Sequence, residues 1–328
     1  MPFTMPTERW TAAVQMTTIG ATEADGGTRT STVTLGGEET LPFLHWEGKT
    51  PNPPAIAIEV LDEAPTNWPE PLLEPYGDVL GDPAAWAQKA VEDFGADMIC
   101  LRLVSATPDG TDASADDCAE TIQSVLKSVG VPLIIWGCGD ADKDNQIMPF
   151  CSQAAVGERC LLGTATEDNY KTICASALAD KHLIINEAPL DINIQKQVNI
   201  LVTDMGMKTS DIIMYQVTGA VGYGVEYAYS ILERTRLAAL GGDKMLQMPM
   251  LSIVGSEAWR VKEAWQSEDE APEWGPLDNR GIIWEAATAS LFLQAGTDIL
   301  VMRHPEAVTH IRKLIAGLAA GSGDAQEA

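Results

Sequence analysis

Residues 118–136 read CAETIQSVLKSVGVPLIIW, a helix pattern that runs straight into a strand pattern. Cys118, Ile122, Val125, Leu126 and Val129 fall at i, i+4, i+7, i+8 and i+11, one apolar stripe on a 3.6-residue period. From Val131 the chain changes to an almost unbroken apolar run, PLIIW. Strands buried on both faces read this way, whereas a sheet with one wet face would alternate apolar and polar residues.

Outward from this unit the same alternation repeats, eight strands in all from Pro54 onward. Strands are expected at Ala55–Val60, Asp97–Leu103, Val131–Trp136, Cys160–Gly163, His182–Asn186, Asp211–Tyr215, Pro249–Val254 and Asp298–Met302. Between them the helical stripe recurs, as in Ile194, Val198, Leu201, Val202 and Met205, and again in Ala307, Ile311, Leu314, Ile315 and Leu318. Asp191 stands where a helix cap is wanted, and Pro305 where a first-turn proline is tolerated. Alternating β and α units imply a parallel sheet, and eight of them in roughly 265 residues imply closure into a (β/α)8 TIM barrel. The alternative is an open doubly wound sheet, but no G-x-G-x-x-G follows the first strand. We therefore assign 54–320 to the barrel.

Residues 1–53 lie outside the repeat and form an N-terminal extension. Thr28–Leu35, flanked by glycine pairs, reads as a strand, with Leu41–Glu47 as its expected partner in a β-hairpin. Residues 321–328 are small and polar, and read as a flexible tail.

The charge balance of 21 Lys+Arg against 47 Asp+Glu, a net of −26, excludes nucleic acid and anionic membrane surfaces as partners. Most of that excess needs no explanation beyond solvation, although it also suits a partner with basic patches. No apolar run is long enough for a membrane span and MPFTMPTERW is no secretory signal, so a cytoplasmic location is expected. The six cysteines, at 100, 118, 138, 151, 160 and 174, form no C-x-x-C pair. Neither a zinc knuckle nor an iron–sulfur cluster site is therefore written here. H-E-x-x-H, G-x-S-x-G and Walker A patterns are also absent.

In such barrels function sits on the face formed by the strand C-termini. Two connections there are long, 61–83 with five prolines and 256–281 with Trp259, Trp265 and Trp274. Long loops at that end suggest a lid or a docking surface. Thr218, Gly219, Gly222, Tyr223 and Gly224 follow the sixth strand, Asn186 the fifth, and Arg303-His304 the eighth. Glycines there either permit close approach of a ligand or simply make a tight turn, and Arg303 either reaches a ligand or pairs with a rim carboxylate such as Glu59.

Five stretches resemble the small subunit of the corrinoid iron–sulfur protein, which includes the delta subunit of archaeal acetyl-CoA decarbonylase/synthase. They are GGTRTSTVTLGGEETLPFLHWEG (26–48), WGCGDADKDN (136–145), PLDINIQKQVNIL (189–201), GAVGYGVEYAYSILERTRLAALGGDKMLQMP (219–249) and GIIWEAATASLFLQAGTDILVMRHPEAV (281–308). The resemblance implies a non-catalytic methyl carrier of the reductive acetyl-CoA (Wood–Ljungdahl) pathway, in a heterodimer. A large subunit would hold the [4Fe-4S] cluster, and a cobalt corrinoid would lie at the subunit interface. Methyltetrahydrofolate methyltransferase and acetyl-CoA synthase are the implied transient partners. Thr218, Gly219, Gly222, Tyr223, Gly224, Arg303, His304 and Asn186 are then the expected corrinoid contacts. Asp180-Lys181-His182 matches the start of the D-x-H-x-x-G cobalt-ligand motif, but Ile185 replaces its glycine and His182 opens a strand, so His182 is read as structural. The competing expectation is an autonomous pterin-dependent methyltransferase barrel, with Asp62, Asn169 and Asn186 as polar anchors.

Overall fold

A computed structural model describes residues 6–320. Each expected strand is present. The eight are β3 (Ala55–Leu61), β4 (Met98–Arg102), β5 (Leu133–Trp136), β6 (Leu161–Ala165), β7 (Leu183–Ala188), β8 (Ile212–Gln216), β9 (Met250–Ile253) and β10 (Ile299–Met302). All are parallel, and they close in the order β10-β3-β4-β5-β6-β7-β8-β9, so no edge is left unpaired. The fold is a TIM barrel. Side chains alternate along each strand. Ala55, Ala57, Met98, Cys100 and Ile134 fill the interior, while Ile56, Ile58, Ile99, Leu101 and Ile135 pack outward against helices.

Around the strands lie α1 (Glu70–Leu73), α2 (Pro83–Glu92), α3 (Ala115–Ser128), α4 (Ala141–Ala154), α5 (Tyr170–Asp180) and α6 (Ile192–Asp204). The ring is completed by α7 (Val225–Leu240), α8 (Gly255–Arg260), α9 (Leu277–Ala295) and α10 (Pro305–Ala320). Asp191 caps α6 by accepting from the Asn193 and Ile194 amides at 2.7 and 3.3 Å, and Pro305 opens α10, both as expected. No helix among the described residues is long and apolar enough to cross a membrane. All six cysteines are free thiols, five of them buried.

The extension does carry a hairpin, but its partner strand is not the expected one. β1 (Thr17–Ile19) pairs antiparallel with β2 (Val33–Leu35), Ile19 opposite Val33. Leu41–Glu47 instead forms turns, and Phe43, at φ 62°, adopts a left-handed conformation that a ladder does not accept. Ile19 and Leu35 are buried in the same cluster as the barrel interior, so the hairpin closes the barrel's N-terminal end. Arg29 fastens it. Its Nε donates to Glu158 at 2.7 Å, and its two terminal nitrogens donate to the carbonyls of Val129 and Leu126, each at 2.6 Å. Arg159 adds a bond from Nε to the Thr18 carbonyl at 3.0 Å. Shortening the plug by one methylene, Ile19→Val, is expected to lower the unfolding free energy by about 1 kcal/mol in urea titration. A loss below roughly 0.3 kcal/mol would mean the hairpin melts apart from the barrel. The tail read as flexible, 321–328, lies outside the described residues.

His182 has the structural place assigned to it. It stands immediately before β7 at the closed end, buried, with Nδ1 accepting from the Cys160 amide at 3.1 Å and Nε2 donating to the Ser152 carbonyl at 2.9 Å. Burial pushes its pKa down, which keeps the ring neutral.

Candidate functional site

Strand alternation decides which side chains reach the open, C-terminal mouth. Continuing the interior rows brings Glu59, Arg102, Trp136, Glu187, Tyr215 and Arg303 to the top layer. Glu59 is the centre of this layer. Its carboxylate accepts from Arg102 Nη1 at 3.1 Å and from Arg303 Nε, and the side chain is 1% exposed. Burial works against its charge, but Arg303 and Arg102 together outweigh that and hold the carboxyl below its ordinary pKa. The ion pair between Arg303 and Glu59, one of the two readings open at the sequence level, is thus formed. Arg303 also lies over the Trp68 ring at 4.6 Å.

Above this floor the mouth has two lobes that meet at Arg102. The larger, of about 680 Å³, runs between the 61–69 segment and Ser256, Trp259, Arg260 and Trp265. The smaller, of about 200 Å³, lies among Trp136, Asp144, Thr164, Glu187 and Tyr215. Burial raises the pKa of both Asp144 and Glu187.

A buried carboxylate on α9 holds the wall of the larger lobe together. Glu285 accepts from the Arg303 amide at 2.6 Å, the His304 amide at 3.1 Å and Trp259 Nε1 at 2.6 Å. Burial pushes its pKa up to about 7 even against those bonds. Trp259 stacks on His304 with centroids 5.6 Å apart. Gly281 makes room for the indole, since a Cβ there would lie 2.2 Å from Trp259 Cζ3. The sequence reading missed Glu285. Its signal was a lone acid in the otherwise apolar helical stretch IIWEAATASLF.

The expected contact residues divide into two groups. Thr218, Gly219, Gly222, Tyr223 and Gly224 do form a loop at the mouth, held from behind by Trp284 Nε1, which donates to the Val221 carbonyl at 2.9 Å. Gly219 is required because a Cβ would sit 2.1 Å from the Tyr223 carbonyl oxygen, and Gly222 and Gly224 have φ of +78° and +96°. Tyr223 is exposed and donates from its hydroxyl to Glu263 at 2.8 Å. Arg303 joins this face.

Asn186 and His304 do not. Counting from Leu183 and Ile185, which point inward, Asn186 faces the helix layer, where it donates to Asn199 at 2.8 Å. Its neighbour Glu187 takes the mouth position instead. The buried His304 ring donates from Nε2 to the Pro71 carbonyl at 3.2 Å and accepts from the Glu306 amide at 3.1 Å, so both nitrogens serve the backbone.

The polar anchors of the competing expectation are likewise engaged internally. Asp62 accepts from the Ser105 amide and hydroxyl. Asn169 bonds to the Thr166 amide and the Thr164 carbonyl.

Several apolar side chains on the segments that follow the neighbouring strands β8 and β9 are open to solvent. Val217, Tyr223 and Tyr227 follow β8 and Trp265 and Ile283 follow β9; all five are exposed, Tyr227 at 67% and Ile283 at 62%. Single exposed apolar residues are ordinary, but a group around a mouth marks a contact surface. The buried Gln216 side-chain amide, Thr218 hydroxyl and Arg102 Nε have no hydrogen-bond partner among the described residues.

Residues 18–315 match the family described as CO dehydrogenase/acetyl-CoA synthase delta subunit. The chain belongs to that family. Its delta-subunit relatives include the acetyl-CoA decarbonylase/synthase complex subunit delta of Archaeoglobus fulgidus, 38% identical over 94% of this chain and 69% of that one. The same subunit of Methanopyrus kandleri is 38% identical over 94% of this chain and 76% of its own length. These relatives are named as subunits of a complex. Among solved structures, the barrel is similar to the dihydropteroate synthase of Coxiella burnetii, with a TM-score of 0.57, 14% identity and coverage of 84% of this chain and 96% of that one. The enzyme of Thermus thermophilus gives 0.53 at 12% identity over 86% and 99%. At such identities the likeness establishes the TIM barrel shared with the delta-subunit family member, and nothing about its ligand.

Proposed function

We propose that the chain caps a cobalt corrinoid with its C-terminal face and is a non-catalytic methyl-carrier subunit of the reductive acetyl-CoA pathway. In this reading it is half of a heterodimer whose large subunit holds the corrinoid-binding domain and the [4Fe-4S] cluster. Methyltetrahydrofolate methyltransferase delivers the methyl group, and acetyl-CoA synthase takes it away. When bound, the cobalt supplies the nucleophile for that transfer.

The observation that carries the reading is the contrast between a paired floor and an unpaired rim. Glu59 is satisfied by two arginines, whereas Val217, Tyr223, Tyr227, Trp265 and Ile283, on the segments that follow β8 and β9, lie open to solvent. The residues present fit a flat macrocycle with an amide fringe. The Thr218–Gly224 backbone allows close approach, and Tyr223 offers an apolar ring with a polar tip. The Thr218 hydroxyl, without a hydrogen-bond partner among the described residues, adds hydrogen-bonding capacity at the start of that loop. Arg303, fixed by Glu59, keeps further guanidinium donors for a peripheral oxygen. The chain's own work is then to bind, to orient and to exclude water. Its one histidine in this wall, His304, has both ring nitrogens committed to backbone, which leaves it no proton to move.

The test is co-expression with and without the large subunit. Corrinoid absorbance should develop in the co-purified pair and not in this chain alone. Tyr227→Ser and Gly222→Val in the pair are each expected to weaken corrinoid retention about tenfold, or ~1.4 kcal/mol. Turnover of a methyl-pterin by the isolated chain with free cobalamin would establish the methyltransferase barrel instead.

A further inference from the structure

The smaller lobe of the mouth carries hydrogen-bonding groups of both kinds that the fold leaves open. Trp136 and Tyr215, at the ends of β5 and β8, are 4% and 7% exposed and line it together. Their rings are already in use. They meet edge to face with centroids 5.2 Å apart, and the Arg102 guanidinium lies 5.7 Å from the Trp136 ring. Their polar atoms are not in use. Neither Trp136 Nε1 nor the Tyr215 hydroxyl has a hydrogen-bond partner among the described residues, and neither is sealed from open space as the buried Gln216 amide is. In side chains so deeply buried, the open space these atoms meet is the lobe they line.

Two carboxyls line the same lobe, Asp144 from α4 and Glu187 from β7. Asp144 is held in place by the loop after β5. Its oxygens accept from the Cys138 and Gly139 amides at 2.8 and 3.1 Å, and Gly137 makes room for it, since a Cβ there would lie 2.4 Å from Oδ1. Each carboxylate oxygen can accept more than one bond, so capacity is left over. Glu187 stands beside the Thr164 side chain, with Arg102 drawing its pKa down and burial and Asp144 pushing it up. Glu257 and Arg260, which also act on Tyr215, pair with each other at 2.5 Å and lie outside this lining.

A cation would satisfy the carboxyls and leave the indole N–H without an acceptor. An anion would meet the repulsion of both carboxyls. A group that accepts at one end and donates at the other suits both halves, and it brings no net charge into a lobe of about 200 Å³. We propose that the smaller lobe is a socket for one primary carboxamide, whose oxygen accepts from Trp136 Nε1 and the Tyr215 hydroxyl and whose NH2 donates to Asp144 and Glu187. The identity of its occupant rests on the corrinoid reading above: it is one amide arm of the macrocycle, and seating that arm sets how the ring is turned over the mouth.

The full chain, without corrinoid or partner, is titrated with propionamide, methyl propionate, propionate and propylammonium, followed by ligand-observed NMR. Propionamide is expected to saturate with a dissociation constant below roughly 20 mM, within reach of so small a molecule. The other three should each bind at least about fivefold more weakly. Trp136→Phe and Tyr215→Phe keep a ring in place and remove one donor each, so each should weaken propionamide about fivefold. Thermal melting of each variant shows that it is folded. Absence of saturable propionamide binding overturns the socket. So does an ester, carboxylate or ammonium that binds as well as the amide, or a folded variant that binds it as the native chain does. In the co-expressed pair, the double variant should retain cobinamide, whose arms are amides, at least about tenfold less well. Its retention of cobyrinic acid heptamethyl ester should match that of the native pair. Equal effects on the two corrinoids overturn the amide arm as the occupant. A native pair that captures no corrinoid overturns the capping role and the arm with it, whereas the titration of the chain alone decides the socket in either case.

Discussion

Glu59→Ala is expected to lower the unfolding free energy by about 3–5 kcal/mol, because it strands two charges where one carboxylate had held both. Glu59 is 1% exposed and Arg303 12%, so water cannot take the carboxylate's place at low cost. The cost belongs to the unpaired charges and not to the lost attraction, since a buried ion pair often does no better than apolar residues of similar size. Adding Arg102→Met and Arg303→Met to Glu59→Ala should therefore restore most of the loss. Urea titration of the three proteins, with and without corrinoid partner, measures both effects. A single Glu59→Ala loss under roughly 1 kcal/mol would mean that the cluster is loosely held and solvated.

The second large effect is pH-dependent and belongs to Glu285. Its pKa in the folded chain is pushed up to about 7 by burial, above the ordinary 4.5. A carboxyl whose folded value is raised contributes its full stability below the unfolded value and loses it progressively as pH climbs to the folded one. Glu285 should thus favour folding at pH 5 and cease to do so by pH 8, a change on the order of 3 kcal/mol. Other groups titrate in the same window. Glu38, beside Arg236 and Asp298, is also raised to about 7, chiefly by burial, whereas burial lowers His182 and His304, which act in the opposite sense. The quantity to measure is therefore the stability difference between the native chain and Glu285→Gln across pH 5–8. Those other groups cancel in that difference, and it should move against the native chain as pH rises. A constant difference would place the Glu285 carboxyl in the ordinary range.

Much of the fold was legible because buried parallel strands leave a strong mark. PLIIW at 132–136 and HLII at 182–185 have no polar face, and the closed barrel requires none. The hairpin was misread for the complementary reason. Thr17–Ile19 is three residues long, too short for any period to show, and its partner was sought among the more hydrophobic residues 41–47, which form turns.

At the site, the residues just past each strand disclosed the Thr218–Gly224 loop and Arg303 but could not separate Asn186 from Glu187. Which of the two faces the mouth depends on parity along β7, and Ile185, an interior residue, decides it. Glu285 stayed hidden for another reason. It acts on the mouth from a helix, through backbone amides of residues 303 and 304, and no spacing in the sequence joins those positions.

The hairpin that stoppers the barrel also sets an order of events. Ile19 is made early on the ribosome, yet the cavity that receives it exists only once strands from Ala55 to Ile299 have come together. Arg29 waits in the same way for carbonyls and a carboxylate about 100 to 130 positions further on. Contacts so distant in sequence cost chain entropy before they return anything, so they form late. A segment synthesised before the barrel strands is thus among the last to settle, and until it does the barrel stands open at the end opposite its mouth, with its interior wet. In pulse-labelling hydrogen exchange during refolding, the amides of 17–35 should gain protection after those of β4–β8.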